Sequence, residues 1–126
     1  MSPELEISGV SSQAKSLTLI IDDPDAKSVA GKTWVHWTVS DLAPDTTNIP
    51  SVKRGKIKLG LAGRNSSGSR AYQGMCPPNG KHTYVFAVYE LDSVIGKKLG
   101  EMTRKKFEKK YSERIIRKFE IRGTYQ

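Results

Sequence analysis

One cysteine, Cys76, stands in the whole chain, so no internal disulfide can form and no four-thiolate metal site can be assembled. The fold must hold by packing. Histidine is nearly as scarce, with only His36 and His82. No run approaches the roughly 20 consecutive apolar residues that cross a bilayer. The start Met1-Ser2-Pro3-Glu4 has neither the basic stretch nor the apolar segment of a signal peptide. These absences lead us to expect a soluble, cytoplasmic protein with no transmembrane segment. Acidic residues are sparse at one end only. Residues 1–96 hold 10 basic and 9 acidic side chains, whereas residues 97–126 hold 11 and 4, so the net charge of +8 divides as +1 and +7. At 126 residues, with 37% hydrophobic and 27% charged, the chain has room for one core, and a single domain over 1–126 is expected.

Along the chain, Ser16-Leu17-Thr18-Leu19-Ile20-Ile21 reads as a strand that ends at the turn Asp22-Asp23-Pro24-Asp25. Trp34–Val39 has high β propensity, and period two places Trp34, His36 and Thr38 on one face with Val35, Trp37 and Val39 on the other. Lys56–Leu61 alternates polar and apolar, as an edge or outer strand does. A long loop rich in Gly, Ser, Asn and Pro then runs from Gly63 to Gly80, a length that is usually functional or disordered. It leads into His82–Leu91, the longest strand candidate, with His82, Tyr84, Phe86 and Val88 on one face. Past Gly100 the period changes: Phe107, Tyr111 and Ile115 recur every four residues, predicting a short amphipathic helix with Thr103 as N-cap. Phe119 and Ile121 then alternate with charges as a final strand. This order predicts a mostly β fold, an antiparallel β-sandwich with one helix at its margin.

Four polar clusters from separate segments can carry chemistry: Asp22-Asp23-Pro24-Asp25, His36, Gly74–Gly80, and His82 with Tyr84. Imidazole N–H groups, a phenol and loop amides are donors that can surround a phosphate-like anion. The aspartates would repel that anion directly, so their role is to accept from an imidazole, fix its tautomer and favour its charged form. Pro77-Pro78 would stiffen the loop. Taken singly, each signal has an ordinary structural explanation: a packed strand histidine, turn chemistry at Asp-Pro-Asp, a strand tyrosine. Cys76, His82 and Asp23 could also form a nucleophile, base and orienter, and two histidines with a carboxylate could ligate zinc, but no compact ligand spacing supports a metal. The basic C-terminal segment invites nucleic acid. No helix-turn-helix, zinc-finger or RNP-type pattern accompanies it, so specific nucleic-acid recognition is not expected.

Taken together, Asp23-Pro24-Asp25-Ala26, Trp34-Val35-His36-Trp37 and the run Tyr72–Tyr84 containing Cys76-Pro77-Pro78-Asn79-Gly80-Lys81-His82 resemble, in order, the signature segments of the phosphatidylethanolamine-binding protein family, in its small bacterial and archaeal branch. The resemblance implies a two-sheet antiparallel β-sandwich with Greek-key connections and a pocket for phosphate-like anions, including phospholipid head groups. Carried over by position, it implies ligand-binding roles for Asp23, Asp25, His36, Pro77, Pro78, His82 and Tyr84, with no catalytic residue, metal or cofactor. It implies a non-enzymatic module that regulates a protein partner. Family members include serine protease inhibitors and regulators of kinase signalling, and several prokaryotic ones resemble homodimers. The alternatives are a serine protease inhibitor acting through exposed loop residues of 63–74, and a hydrolase using Cys76 or a metal. Lys27 and Met75 stand where the family often has proline, which would loosen the pocket rim. Ser2–Leu5 resembles an internal segment of the family, so its usual N-terminal strand region is expected to be missing.

Overall fold

The structure, a computed structural model, describes residues 4–27, 31–50, 59–74 and 82–125. Among the described residues, two antiparallel sheets and one short α-helix make up the architecture, the mostly β fold that the sequence predicts. The larger sheet has the order β5-β3-β2-β6-β7, with β2 Ser16–Asp23, β3 Trp34–Leu42, β5 Leu61–Ala62, β6 His82–Leu91 and β7 Ile115–Tyr125. The smaller sheet pairs β1 Leu5–Glu6 with β4 Asn48–Ile49. β2 lies at the centre, and all eight of its residues are buried. Its sequence SLTLIIDD loses the polar–apolar alternation at Leu19-Ile20-Ile21, as expected of a strand covered on both faces.

Each face of the large sheet has its own core. Leu17, Leu19 and Ile21 of β2 pack with Trp37 and Val39 of β3 and with Ile7 and Ile49 from the small-sheet side. On the other face, Ile20, Ala87, Tyr89 and Leu91 pack against Leu99, Met102, Phe107 and Tyr111. Because the small sheet has only two-residue strands, it leaves part of its face uncovered: Phe119 and Ile121 of β7, opposite Val88 and Phe86, stay 41% and 64% exposed.

Helix α1 (Arg104–Lys110) begins where predicted, with the Thr103 hydroxyl accepting from the Lys106 N–H at 3.2 Å. It is shorter than the apolar period suggested. Tyr111 caps it, and Ile115 opens β7, so the third residue of the four-residue repeat belongs to a strand that packs against the same cluster. The edge strand expected over Lys56–Leu61 needs correcting where it is described: Leu59 and Gly60 form a bend, with Gly60 at a φ of 63°, and the outermost strand β5 is Leu61–Ala62, while 51–58 lie outside the described residues.

The period-two assignment of β3 needs correcting. Ile21 pairs with Trp37, yet Asp22 pairs with Val35, so β3 carries one extra residue, His36, in a β-bulge. Alternation breaks there. His36 and Trp37 both turn to the face of Leu19 and Ile21, and Thr38 goes to the opposite face, where Gly63 and Leu99 crowd its hydroxyl region. A Cβ at Gly63 would meet Thr38 Oγ1 and come within 2.8 Å of the Leu99 carbonyl, so only glycine lets the loop pass this close.

Helix α1 is tied to β2 by one buried carboxylate. Asp22, 1% exposed, accepts from Arg104 Nε at 2.8 Å and from the Arg104 backbone N–H at 2.9 Å, while Arg104 Nη1 donates to Glu120 Oε2 at 2.9 Å. Arg104→Ala would strand Asp22 without its counter-charge and is expected to cost about 3 kcal/mol of unfolding free energy. Lys118→Ala, which removes a surface partner of Glu108 and Glu120, is expected to cost under about 1 kcal/mol. Denaturant unfolding of both variants beside the parent checks this; equal losses would contradict the role given to Asp22.

Candidate functional site

The site is built at one end of β2, β3 and β6, on the face that carries Ile21 and Phe86. Asp23 ends β2 and turns its carboxylate into this face, while the preceding Asp22 turns to the helix side. Asp23 Oδ2 accepts from His82 Nδ1 at 2.6 Å, and both side chains are almost fully buried. A carboxylate only accepts here, so the proton is on Nδ1 and the His82 tautomer is set. Asp23 Oδ1 accepts from the Asp25 N–H at 2.9 Å, capping the short 3₁₀ turn Pro24–Ala26. Asp25 in turn accepts from the Thr83 N–H at 2.7 Å, pinning the first residues of β6. Asp25 thus orients His82 through the backbone of β6, and Asp23 orients it directly.

His36 reaches the same place through the bulge. Its Nδ1–H donates to the Gln73 carbonyl at 2.9 Å, and the Gln73 N–H donates back to the His36 carbonyl at 2.9 Å. The Gln73 side chain accepts from Trp34 Nε1 at 2.6 Å. No hydrogen bond to His36 Nε2 occurs among the described residues. Tyr84, 1% exposed, stands edge-on to His36 with ring centroids 5.2 Å apart at 72°, and lies 6.4 Å from the His82 ring. The two histidines therefore flank one buried tyrosine.

The electrostatic balance differs from the simple expectation that the aspartates favour charged imidazoles. Burial lowers the pKa of His36 below its ordinary 6.5 and outweighs the Gln73 carbonyl and the more distant Asp23 and Asp22, which favour the cation. Burial thus favours the neutral form of the His36 ring at pH 7.

Asp23, Asp25, His36, His82 and Tyr84 are thus brought together, while Pro77, Pro78 and Cys76 lie outside the described residues. Two residues escaped the sequence reading. Gln73 clamps Trp34 and His36, and nothing but its place inside the Tyr72–Tyr84 run could have pointed to it. Asp22, expected in the turn, is instead a buried residue of β2, and its need for a cation follows from that burial. The loop after Gly63 is closed on itself: Asn65 Oδ1 accepts from the N–H groups of Ser67 and Ser69, and its Nδ2 donates to the Ala71 carbonyl. Among the described residues no cluster of three or more His, Cys, Asp or Glu could hold a metal ion, and no helix is long and apolar enough to cross a membrane.

The family model for the phosphatidylethanolamine-binding protein matches residues 1–126. The chain belongs to the phosphatidylethanolamine-binding protein family. It is 45% identical over 100 residues to a UPF0098 protein of Methanothermobacter thermautotrophicus, a match covering 75% of this chain and 63% of that protein. It is 34% identical over 128 residues to a UPF0098 protein of Chlamydia muridarum, covering 100% of this chain and 83% of the relative. Among solved structures, a phosphatidylethanolamine-binding protein homologue of Chlamydia trachomatis superposes with a TM-score of 0.84 at 35% identity, covering 99% of this chain and 80% of the other. Escherichia coli YbcL, described as a new member of the mammalian PEBP family, superposes with a TM-score of 0.82 at 29% identity, covering 99% of this chain and 79% of the other. The family membership and the fold implied by the sequence motifs are therefore both met.

The lowered pKa of His36 makes stability depend on pH in a defined direction. Because the folded value lies below the unfolded one, the unfolded chain binds more protons in the interval between them. Stability is complete above about pH 6.5 and falls as pH drops from there to the folded midpoint of the ring. Imidazole NMR should place the His36 midpoint below 6.5, and His36→Gln should flatten this part of the stability profile; a midpoint at or above 6.5 would contradict the burial argument.

Proposed function

We propose that the chain is a non-enzymatic module that binds a phosphate-like anion, free or as a phospholipid head group, between His36, His82 and Tyr84. The observation that carries this reading is the convergence of both histidines of the chain on one buried tyrosine, with His82 held by Asp23 at 2.6 Å. Both Nδ1–H groups are already spent, on Asp23 and on the Gln73 carbonyl, so each imidazole would donate to an anion from Nε2 in its protonated form, and the rings are in position before any ligand arrives. Asp23 and Asp25 spend their oxygens on His82, the Asp25 N–H and the Thr83 N–H, so they serve as supports for the donors. Pro77 and Pro78 belong to the loop leading into His82 and form part of the rim in this proposal. Membership of a family named for a phospholipid supports the choice of ligand. The protease-inhibitor alternative would use exposed loop residues of 63–74, where the Asn65 side chain ties the backbone of 67, 69 and 71 into a turn.

An arriving phosphate favours the imidazolium form of His36, so binding takes up a proton and affinity rises as pH falls from 8 toward about 6.5. Titration with a phosphomonoester head-group analogue should shift the ring signals of His36 and His82 together and saturably, beyond a matched sulfate control. His82→Ala should weaken binding at least about tenfold, as expected for loss of a charge-assisted hydrogen bond. A folded His82→Ala variant that binds like the parent would overturn the assignment.

A further inference from the structure

Outside the histidine site, two sets of basic residues differ in how they are paired. Arg104, Arg117, Lys118 and Arg122 are each engaged by a carboxylate of Asp22, Glu90, Glu108 or Glu120. Lys27, Lys105, Lys106 and Lys109 have no ion pair among the described residues, and together with Lys32 they line a single cleft of about 660 Å³. One carboxylate, Glu101, shares the lining. It is already occupied, accepting from Lys32 Nζ at 2.8 Å and from Ser66 Oγ at 2.6 Å, and these bonds hold its pKa below the usual carboxylate value. Five lysines less one glutamate leave a formal charge of +4 on this concavity.

The arrangement is locally unfavourable. Lys105 and Lys109 stand four residues apart on α1 and repel each other, and the first turn of α1 holds no acidic residue to offset Lys105 and Lys106. The walls come from two different parts of the fold, Lys27 and Lys32 before β3 and the helix lysines after Thr103, so the cation cluster is made by tertiary contact. The described residues lining it are lysines, threonines, a glycine and Glu101, with no apolar or aromatic side chain. Such walls can recognise charge and phosphate oxygens; they offer nothing to a base, a sugar face or an acyl chain. A concave site of this volume also suits a compact ligand better than a flat membrane or an extended strand.

We propose that this cleft is a second anion site, separate from the histidine pocket, and that it takes a compact polyphosphate. Lysines from two walls would meet a linear chain of phosphate oxygens, with Lys32 Nζ held by Glu101 at 2.8 Å on one of them. Inorganic tripolyphosphate is the probe. Calorimetric titration of the full chain at about 0.15 M salt should show a saturable site, besides any binding in the histidine pocket, that weakens as salt is raised. Lys105→Gln combined with Lys109→Gln should weaken binding at least about tenfold. Lys27→Gln, on the facing wall, should weaken it independently, and His82→Ala should leave it unchanged. No saturable binding, or a folded double variant that binds like the parent, would overturn the proposal. Loss of tripolyphosphate binding in His82→Ala would also overturn it, by placing the anion among the histidines. Tighter binding of a thymidine oligonucleotide or of phosphatidylglycerol vesicles than of tripolyphosphate would overturn it in favour of an extended anionic partner. These outcomes are distinct from failure of the phosphomonoester site, which is read at the imidazole rings.

Discussion

Two consecutive carboxylates at the end of the central strand hold this structure together. In an extended strand, neighbouring side chains point to opposite faces, so Asp22 and Asp23 address the two sides of the sheet from adjacent positions. Both are almost fully buried, and burying a carboxylate is tolerable only where donors meet it. Asp22 is met by Arg104 and so docks helix α1 on one face; Asp23 is met by His82 and by the turn after it, and so organises the pocket on the other. The helix packing and the site geometry are therefore two consequences of one strand ending.

The bulge in β3 is the second constraint. A regular strand would have put His36 on the face opposite Trp37, away from Tyr84. The extra residue turns His36 toward the pocket while leaving Trp37 in the core, and Gln73 locks the displaced segment from the loop side. The result is a histidine whose burial favours the neutral ring, opposed by the Gln73 carbonyl, Asp23 and Asp22. In the proposed anion pocket, side chains held in place before a ligand arrives need not be ordered at the moment of binding.

The excess positive charge has a structural share and an unassigned share. Arg104 and Arg117 neutralise the buried Asp22 and Glu90, so part of the basic C-terminal segment is there to satisfy the interior. The lysines on the outer side of α1 have no such duty, and their repulsion persists in the folded chain. A charge sum over 97–126 cannot separate these groups, since pairing depends on what β2 and β6 bring alongside.

Much was readable from residue order alone. The strand candidates at Ser16, Trp34 and His82, the Thr103 cap, and the coincidence of three motifs that assigns the family all rest on local patterns, where propensity, period and turn chemistry act over a few residues. The errors lay where nonlocal contacts override those patterns: the bulge at His36, the early stop of α1 before Ile115, and the roles of Asp22 and Gln73. Each is decided by a partner at least three dozen residues away or on another element, such as Gln73 for His36 and Arg104 for Asp22. The sequence by itself determined which residues are available for chemistry and which segments extend or coil, because these follow from side-chain type and short-range sterics. Only the tertiary structure decided which faces meet, because burial makes each polar group depend on the one neighbour that satisfies it.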